Sequence, residues 1–185
     1  MKRLSLLTLT MMLVLGCQRS DANPVDAAAQ PNAPGHESSD FTRLTACYDA
    51  DEWTCAVETE IVRLTNVKRA TSKLVKLDQV FESSYIARGH SKSMTPDNIS
   101  HNGFDQRFET LQKELPEVWR GRAGENVAYF SSRSEDPEAV AAELVKMWWN
   151  SKGHRDNMMN KDYVYIGVGI TRNSDNLVFA TQMFH

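Results

Sequence analysis

No run of this sequence is apolar for long enough to cross a bilayer. The longest candidate, Leu4 to Leu15, falls short of the roughly 20 residues a spanning helix needs. No long basic run is present either, which argues against nucleic acid as a partner. No serine or cysteine stands in a nucleophile-elbow context, and no glycine-rich phosphate loop or zinc-protease helix motif occurs. Any hydrolytic chemistry would therefore have to come from an activated water. Cysteine is scarce, with three in 185 residues, so the position of each one carries information.

What is present begins with a targeting pattern, which is set aside from fold reasoning. Lys2 and Arg3 precede the apolar run, which ends at Leu13-Val14-Leu15-Gly16-Cys17. This resembles a bacterial lipoprotein cleavage box, with residues 1–16 as signal peptide and Cys17 as the lipidated first residue. An ordinary secretory signal that happens to contain a cysteine is the alternative. Several acyl chains on Cys17 would anchor the protein stably to a membrane. Gln18 in place of aspartate favours the outer membrane. Residues 17–45 are then a lipidated, disordered tether: Pro, Ala, Asn, Asp and Ser predominate, and such composition cannot offset the entropy of ordering. A flexible chain of that length would hold the domain about 25–30 Å from the lipid.

Residues 46–185 remain as one domain, large enough for its own core. Removing residues 1–16 takes away Lys2 and Arg3, so the net charge goes from −3 to −3 − 2 = −5. Cys47 and Cys55, an even pair in an exported chain, most simply form a disulfide. Free thiols or a redox role are the alternatives.

Val57, Ile61, Leu64 and Val67 predict a helix over about Ala56 to Ala70. A second fits Asp78 to Met94, with Asp78 as N-cap and Val80, Phe81, Ser84, Ala87 and Ser91 facing inward. Phe104, Phe108, Leu111 and Leu115 mark a third, stopped by Pro116. Asp136 and Pro137 announce a fourth, with Val140, Leu144, Met147 and Trp148 on its inner face. The end of the chain changes period: Tyr163 to Thr171 and Leu177 to Phe184 alternate around Asn173-Ser174-Asp175-Asn176, a β-hairpin. Gly167 and Gly169 share a face of its first strand, where another element can approach closely. Helices first and a late sheet predict an α+β or layered α/β/α domain.

Three short stretches place a histidine or carboxylate among small residues: Ser100-His101-Asn102-Gly103, Gly124 to Ala128, and Asn150 to Asn157. If folding joins them, His101, Glu125 and His154 line one polar pocket that could hold a metal ion or activate water. Two of these three, and several of their neighbours, have a plainer reading. His101 could be a surface-turn histidine. Glu125 could be structural, accepting backbone N–H bonds or fixing a histidine tautomer. His90 reads more readily as a packed histidine than as a ligand. Arg155 and Asn157 read as loop-fixing side chains, and Asn126 as the maker of a turn bond. Trp148 continues the apolar stripe into the core, whereas Trp149 would flank the cleft or lie beneath the hairpin.

Six pieces occur in one order: Leu64-Thr65-Asn66 with Arg69; Ala87-Arg88-Gly89-His90-Ser91 with Met94; Ser100-His101; Gly124-Glu125-Asn126-Val127-Ala128; Trp148 to Ser151 leading into Gly153-His154-Arg155 and Asn157; and Gly167-Val168-Gly169. In these the chain resembles the CAP superfamily, which comprises cysteine-rich secretory proteins, antigen 5 and pathogenesis-related 1 proteins. It is most similar to the compact bacterial SCP-like branch. The resemblance implies a three-layer α/β/α sandwich with a central cleft, and by position it assigns His101, Glu125 and His154 to that cleft. Larger members carry a second glutamate where this chain has Ser151, so a mechanism needing two carboxylates loses one of them.

The expectation is an exported protein, lipid-anchored in the bacterial envelope, that acts as a binding module. Its cleft would take Zn²⁺, another divalent cation or a small ligand, and an envelope protein or lipid is the other expected partner class. A metal-assisted hydrolase of peptide or cell-wall material, with Glu125 as the catalytic candidate, is the alternative. An adhesion or assembly protein using its outer surface is another.

Overall fold

A computed structural model describes residues 47–185. The expected signal peptide (1–16), the lipidated Cys17 and the tether (17–45) lie outside the described residues. The first described feature is the disulfide Cys47–Cys55, with Cα atoms 5.5 Å apart. It closes the loop that leads into the first helix.

That helix, α1 (Glu52–Thr71), begins a turn earlier than its apolar pattern suggests, because Asp51 caps it. The Asp51 carboxylate accepts the Thr54 N–H at 2.6 Å, satisfying one of the orphan donors of the first turn. Its buried stripe runs through Val57, Ile61, Thr65 and Arg69, so Val67 is 50% exposed rather than inward. Arg69 displaces it: the guanidinium is fully buried and donates to the carbonyls of Val75, Met158, Asn160 and Tyr163. A polar fork that finds this many acceptors fills an interior position that periodicity would give to an apolar residue.

Asp78 is not a helix cap. With Gln79 it forms the short strand β1 (Asp78–Gln79), parallel to β3 (Tyr165–Arg172). The Asp78 and Val80 N–H groups donate to Val164 and Ile166 carbonyls at 2.9 Å each, which holds the chain extended until α2 (Phe81–Ser93) can start. Next come α3 (Phe104–Glu114), β2 (Gly124–Ser131), α4 (Pro137–Asn150), α5 (Lys152–Met158), β3, and β4 (Leu177–Phe184). Asp136 caps α4 by accepting the Glu138 N–H at 3.0 Å.

The four strands lie in the order β1-β3-β4-β2, with β4 antiparallel to both neighbours. Two strands were not expected from the sequence, β1 and β2. The first five residues of β2 are all buried, so they lack the alternation that marks a half-exposed strand. Strand β3 shows why the sheet has helices on both faces. Ile166, Val168 and Ile170 pack with Val57, Ile61, Leu144 and Trp148 of α1 and α4. On the opposite face, Gly167 and Gly169 lie against the α2 backbone, where Ala87, Phe108, Leu111 and Met183 form a second cluster. The domain is a three-layer α/β/α sandwich of the α+β class.

A Cβ on Gly169 would overlap the backbone of Ala87 and Arg88, which cannot move aside as a flexible side chain would. Gly169→Ala is therefore expected to destabilise the domain by about 3 kcal/mol, the upper part of the overpacking range. Urea denaturation followed by circular dichroism measures this, and a shift below 1 kcal/mol would refute the close approach.

Candidate functional site

The site begins with strand β2, whose first turn-like residues are in fact ladder residues. Glu125 pairs with Met183 across β4 and is buried on the α2/α3 side. Both oxygens of its carboxylate accept nitrogen donors. Arg107, on the first turns of α3, donates Nε–H to Oε2 and Nη2–H to Oε1, both at 2.7 Å. His101 Nδ1–H donates to Oε1 at 2.9 Å. Arg107 also donates to the Asn102 carbonyl at 2.7 Å, tying the His101 turn to α3. The side chain of Glu125 has no exposed surface, whereas that of His101 is 52% exposed.

His90, on α2, donates from Nε2 to the Ser100 carbonyl at 2.9 Å and sits 3.9 Å from Glu125 Oε1. Burial pushes its pKa down, the nearby Arg107 charge pushes the same way, and Glu125 opposes them. This packed histidine holds the turn that presents His101.

His154 approaches from the other side, on the short helix α5. Its carbonyl accepts the Asn126 Nδ2–H at 3.0 Å. Burial lowers the pKa of its ring, and the proximity of His101 lowers it further, so His154 stays neutral near pH 7. Asn157 donates to the Glu125 carbonyl at 3.1 Å and to Asn126 Oδ1 at 2.9 Å. Arg155 donates to the Trp149 carbonyl at 2.7 Å. These two are loop-fixing side chains, as their types suggest. Asn126 does not make a turn bond. It is a strand residue whose amide also donates to Gln182 Oε1 at 2.9 Å, and Gln182 continues to Thr65 at 3.1 Å. This buried amide chain locks α5 to the sheet.

Trp148 is fully buried, and Trp149 packs partly buried against the same core with the Lys68 ammonium 4.8 Å from its ring. Ser151, at the position of the altered corner, joins α4 to α5 and makes no side-chain cap bond.

Folding thus joins His101 to Glu125 directly and brings His154 within electrostatic reach of His101. Arg107 is the member that sequence reasoning missed. It lies on the polar side of a helix recognised only by its apolar residues, and nothing local links it to a glutamate 18 positions away. Among the described residues, no group of three or more His, Cys, Asp and Glu is arranged to hold a metal ion. The donors that remain for a ligand are the two imidazoles. His101 uses Nδ1 on Glu125, which leaves Nε2 without a hydrogen bond among the described residues.

Residues 62–184 match the model of the cysteine-rich secretory protein family, the CAP domain. The chain belongs to this family. It is 37% identical over 118 residues to membrane protein YlbC of Bacillus subtilis, which covers 62% of this chain and 32% of YlbC. It is 30% identical over 151 residues to protein YkwD of the same organism, covering 77% of this chain and 53% of YkwD. The chain thus spans about a third to a half of these relatives. Among solved structures, an extracellular SCP-domain protein of Bacillus anthracis superposes with a TM-score of 0.53 at 32% identity. That match covers 69% of this chain and 39% of the other. No helix among the described residues is long and apolar enough to cross a membrane.

Proposed function

We propose that this CAP domain is a binding module of the bacterial envelope, held at the membrane by lipid on Cys17, whose cleft takes a divalent cation or small polar ligand on His101 and His154. One observation carries the reading: His101 Nδ1 is held by Glu125, which is itself held at both oxygens by Arg107. A carboxylate behind a histidine fixes ring orientation and tautomer, and this is how protein sites support a ligating imidazole. Glu125 thereby supports the ligand rather than being one. With two imidazoles as its protein ligands, a cation such as Zn²⁺ would complete its usual four partners from solvent or from a bound ligand. Such an ion would polarise what binds to it. In the hydrolytic alternative Glu125 would orient or deprotonate a water, although its two oxygens already accept three N–H bonds.

Calorimetric titration of the full chain with Zn²⁺ tests the reading. Saturable binding near one ion per chain is expected, with loss in the His101→Ala plus His154→Ala variant. Glu125→Gln should weaken binding by about 10–100-fold, the usual effect of disturbing a residue that orients a ligand. Heats unchanged in the double variant would remove the cleft site. Cleavage of peptides or peptidoglycan by the wild type, abolished in Glu125→Ala, would restore the hydrolase.

A further inference from the structure

A groove of about 520 Å³ lies between one face of α1 and the segment that leads into β1, and it shares no residue with the His101 cleft. From Thr59 to Ala70 it follows α1 for about 16 Å at roughly 1.5 Å per residue, the length of about five extended residues. Val62 and Leu77 close its floor and belong to the packed core. The apolar surface open to a ligand is therefore that of Val67, Ala70 and Leu74. Val67, which helical spacing would place inward, is 50% exposed. Ala70 is exposed and Leu74 half-buried.

The backbone of β1 adds a polar pattern. Asp78 and Val80 turn their N–H groups toward β3, so Leu77 and Gln79 turn theirs the other way, as strand alternation requires. At Leu77 the outward groups are taken. Asn66 Oδ1 accepts the Leu77 N–H at 2.8 Å, and Asn66 Nδ2–H donates to the Leu77 carbonyl at 3.0 Å. That amide does what the peptide group of a neighbouring strand would do. About 7 Å further on, at Gln79, the outward N–H and C=O make no hydrogen bond among the described residues. The buried Nε2 of the Gln79 side chain has no partner among them either. Buried polar groups in folded proteins are overwhelmingly paired, so three unpaired groups on one groove-lining residue form a site for a donor and acceptor together, the pattern of a peptide backbone.

The lining carries one unpaired charge. Arg63 is held by Glu60 through two nitrogens at 2.6 Å, whereas the Lys76 ammonium makes no hydrogen bond or ion pair among the described residues.

We propose that this groove docks a short extended segment of a partner polypeptide, one in which aliphatic side chains are flanked by a carboxylate. A residue of the segment accepts the Gln79 N–H and donates its own N–H to the Gln79 carbonyl, repeating there the pairing that Asn66 makes at Leu77. Gln79 Nε2–H donates to a second carbonyl of the segment. The aliphatic side chains lie on Val67, Ala70 and Leu74, and the carboxylate meets Lys76. Main-chain bonds supply affinity and the side-chain contacts select the sequence, as in other additions to a sheet edge. Asn66 occupies Leu77 and α2 begins at Phe81, so the strand contact is confined to one residue, which keeps this edge from templating an open-ended sheet.

Calorimetry on the full chain tests this with acetyl-Glu-Val-Leu-Val-Glu-amide, in which either chain direction brings a glutamate to Lys76. Saturable binding is expected. The same peptide N-methylated at leucine cannot donate to Gln79 and should bind about tenfold more weakly or worse, as should the peptide with lysine in place of both glutamates. Lys76→Glu, at an exposed residue, should weaken binding of the original peptide to a similar degree. Gln79→Pro deletes an N–H that the sheet does not use, a change an edge strand tolerates, and should abolish binding. Thermal melts that match wild type would show that both variants fold; if Gln79→Pro does not, the N-methylated peptide makes the same test from the ligand side. Absence of heat with the original peptide would overturn the proposal. So would binding indifferent to N-methylation and to Lys76→Glu, or binding lost in His101→Ala, which would place the peptide in the cleft. Self-association of the full chain in sedimentation equilibrium, lost in Gln79→Pro, would assign the edge to a second copy and overturn it as well.

Discussion

Replacing Arg88 with methionine is expected to destabilise the domain by about 3–5 kcal/mol, the range for removing one partner of a buried ion pair. Glu58 has no exposed surface and receives Arg88 Nε–H at 2.9 Å and Nη2–H at 2.8 Å, together with the Ile170 N–H at 3.0 Å. The pair therefore joins α1, α2 and β3 at the point where α2 crosses closest to the sheet. Without Arg88, a carboxylate would remain in the interior with a single backbone donor. The loss should depend on pH. Burial raises the Glu58 pKa above its ordinary 4.5 even with Arg88 beside it, and removing the cation raises it further. A raised carboxyl binds its proton more readily in the folded state, so the variant's handicap grows as pH rises above the value at which wild-type Glu58 ionises, itself above 4.5. Urea denaturation of wild type and variant near pH 7 and near pH 4.5 measures this. Equal losses at both would refute an uncompensated charge. Pairing the change with Glu58→Gln should recover much of the stability, since a neutral amide costs less to bury than a charge.

Mild acid is expected to weaken the domain through His185. This residue is fully buried, with Nδ1–H donating to the Val118 carbonyl at 3.1 Å and Nε2 accepting from Ser83 Oγ at 2.9 Å. Desolvation pushes its pKa down to about 4. The unfolded chain would take up a proton near 6.5, and the folded chain refuses it until about 4. Between those values the unfolded state binds more protons, so stability falls as pH falls through this window. The full loss below it is about 3 kcal/mol, at 1.36 kcal/mol per pKa unit. His90 and His154 shift in the same direction and steepen the slope. Unfolding midpoints measured from pH 7 to pH 4 should decline in wild type and decline less in His185→Gln, which keeps a polar side chain but does not titrate. A flat wild-type profile would show that the imidazole is protonated in the fold.

The elements legible in the sequence were those with strong periodicity or a cap. α4 announced itself by Asp136 and Pro137, and the β3–β4 hairpin by its alternation around Asn173. Gly167 and Gly169 marked a close approach that the α2 backbone occupies. Strand β2 was hidden, because a segment buried on both faces carries no two-residue pattern. Helix α5 was hidden too, because seven residues with a glycine near the start give no stripe. The residue type of Asp78 suggests a cap, whereas its backbone belongs to the sheet.

Local chemistry, by itself, determined that two histidines and a glutamate stand in short polar segments, that Cys47 and Cys55 are close enough along the chain to pair, and that four amphipathic helices precede a hairpin. Only the tertiary structure decided what these groups do. A carboxylate's role depends on which donors reach it, and Arg107 and His101 reach Glu125 across 18 and 24 positions of sequence. A buried arginine such as Arg69 or Arg88 is tolerable only where distant carbonyls or a carboxylate converge on it. Short-range pattern records where apolar surface must go. It carries no record of the long-range partners that make a buried charge stable, and the chemistry of this fold is set by those partners.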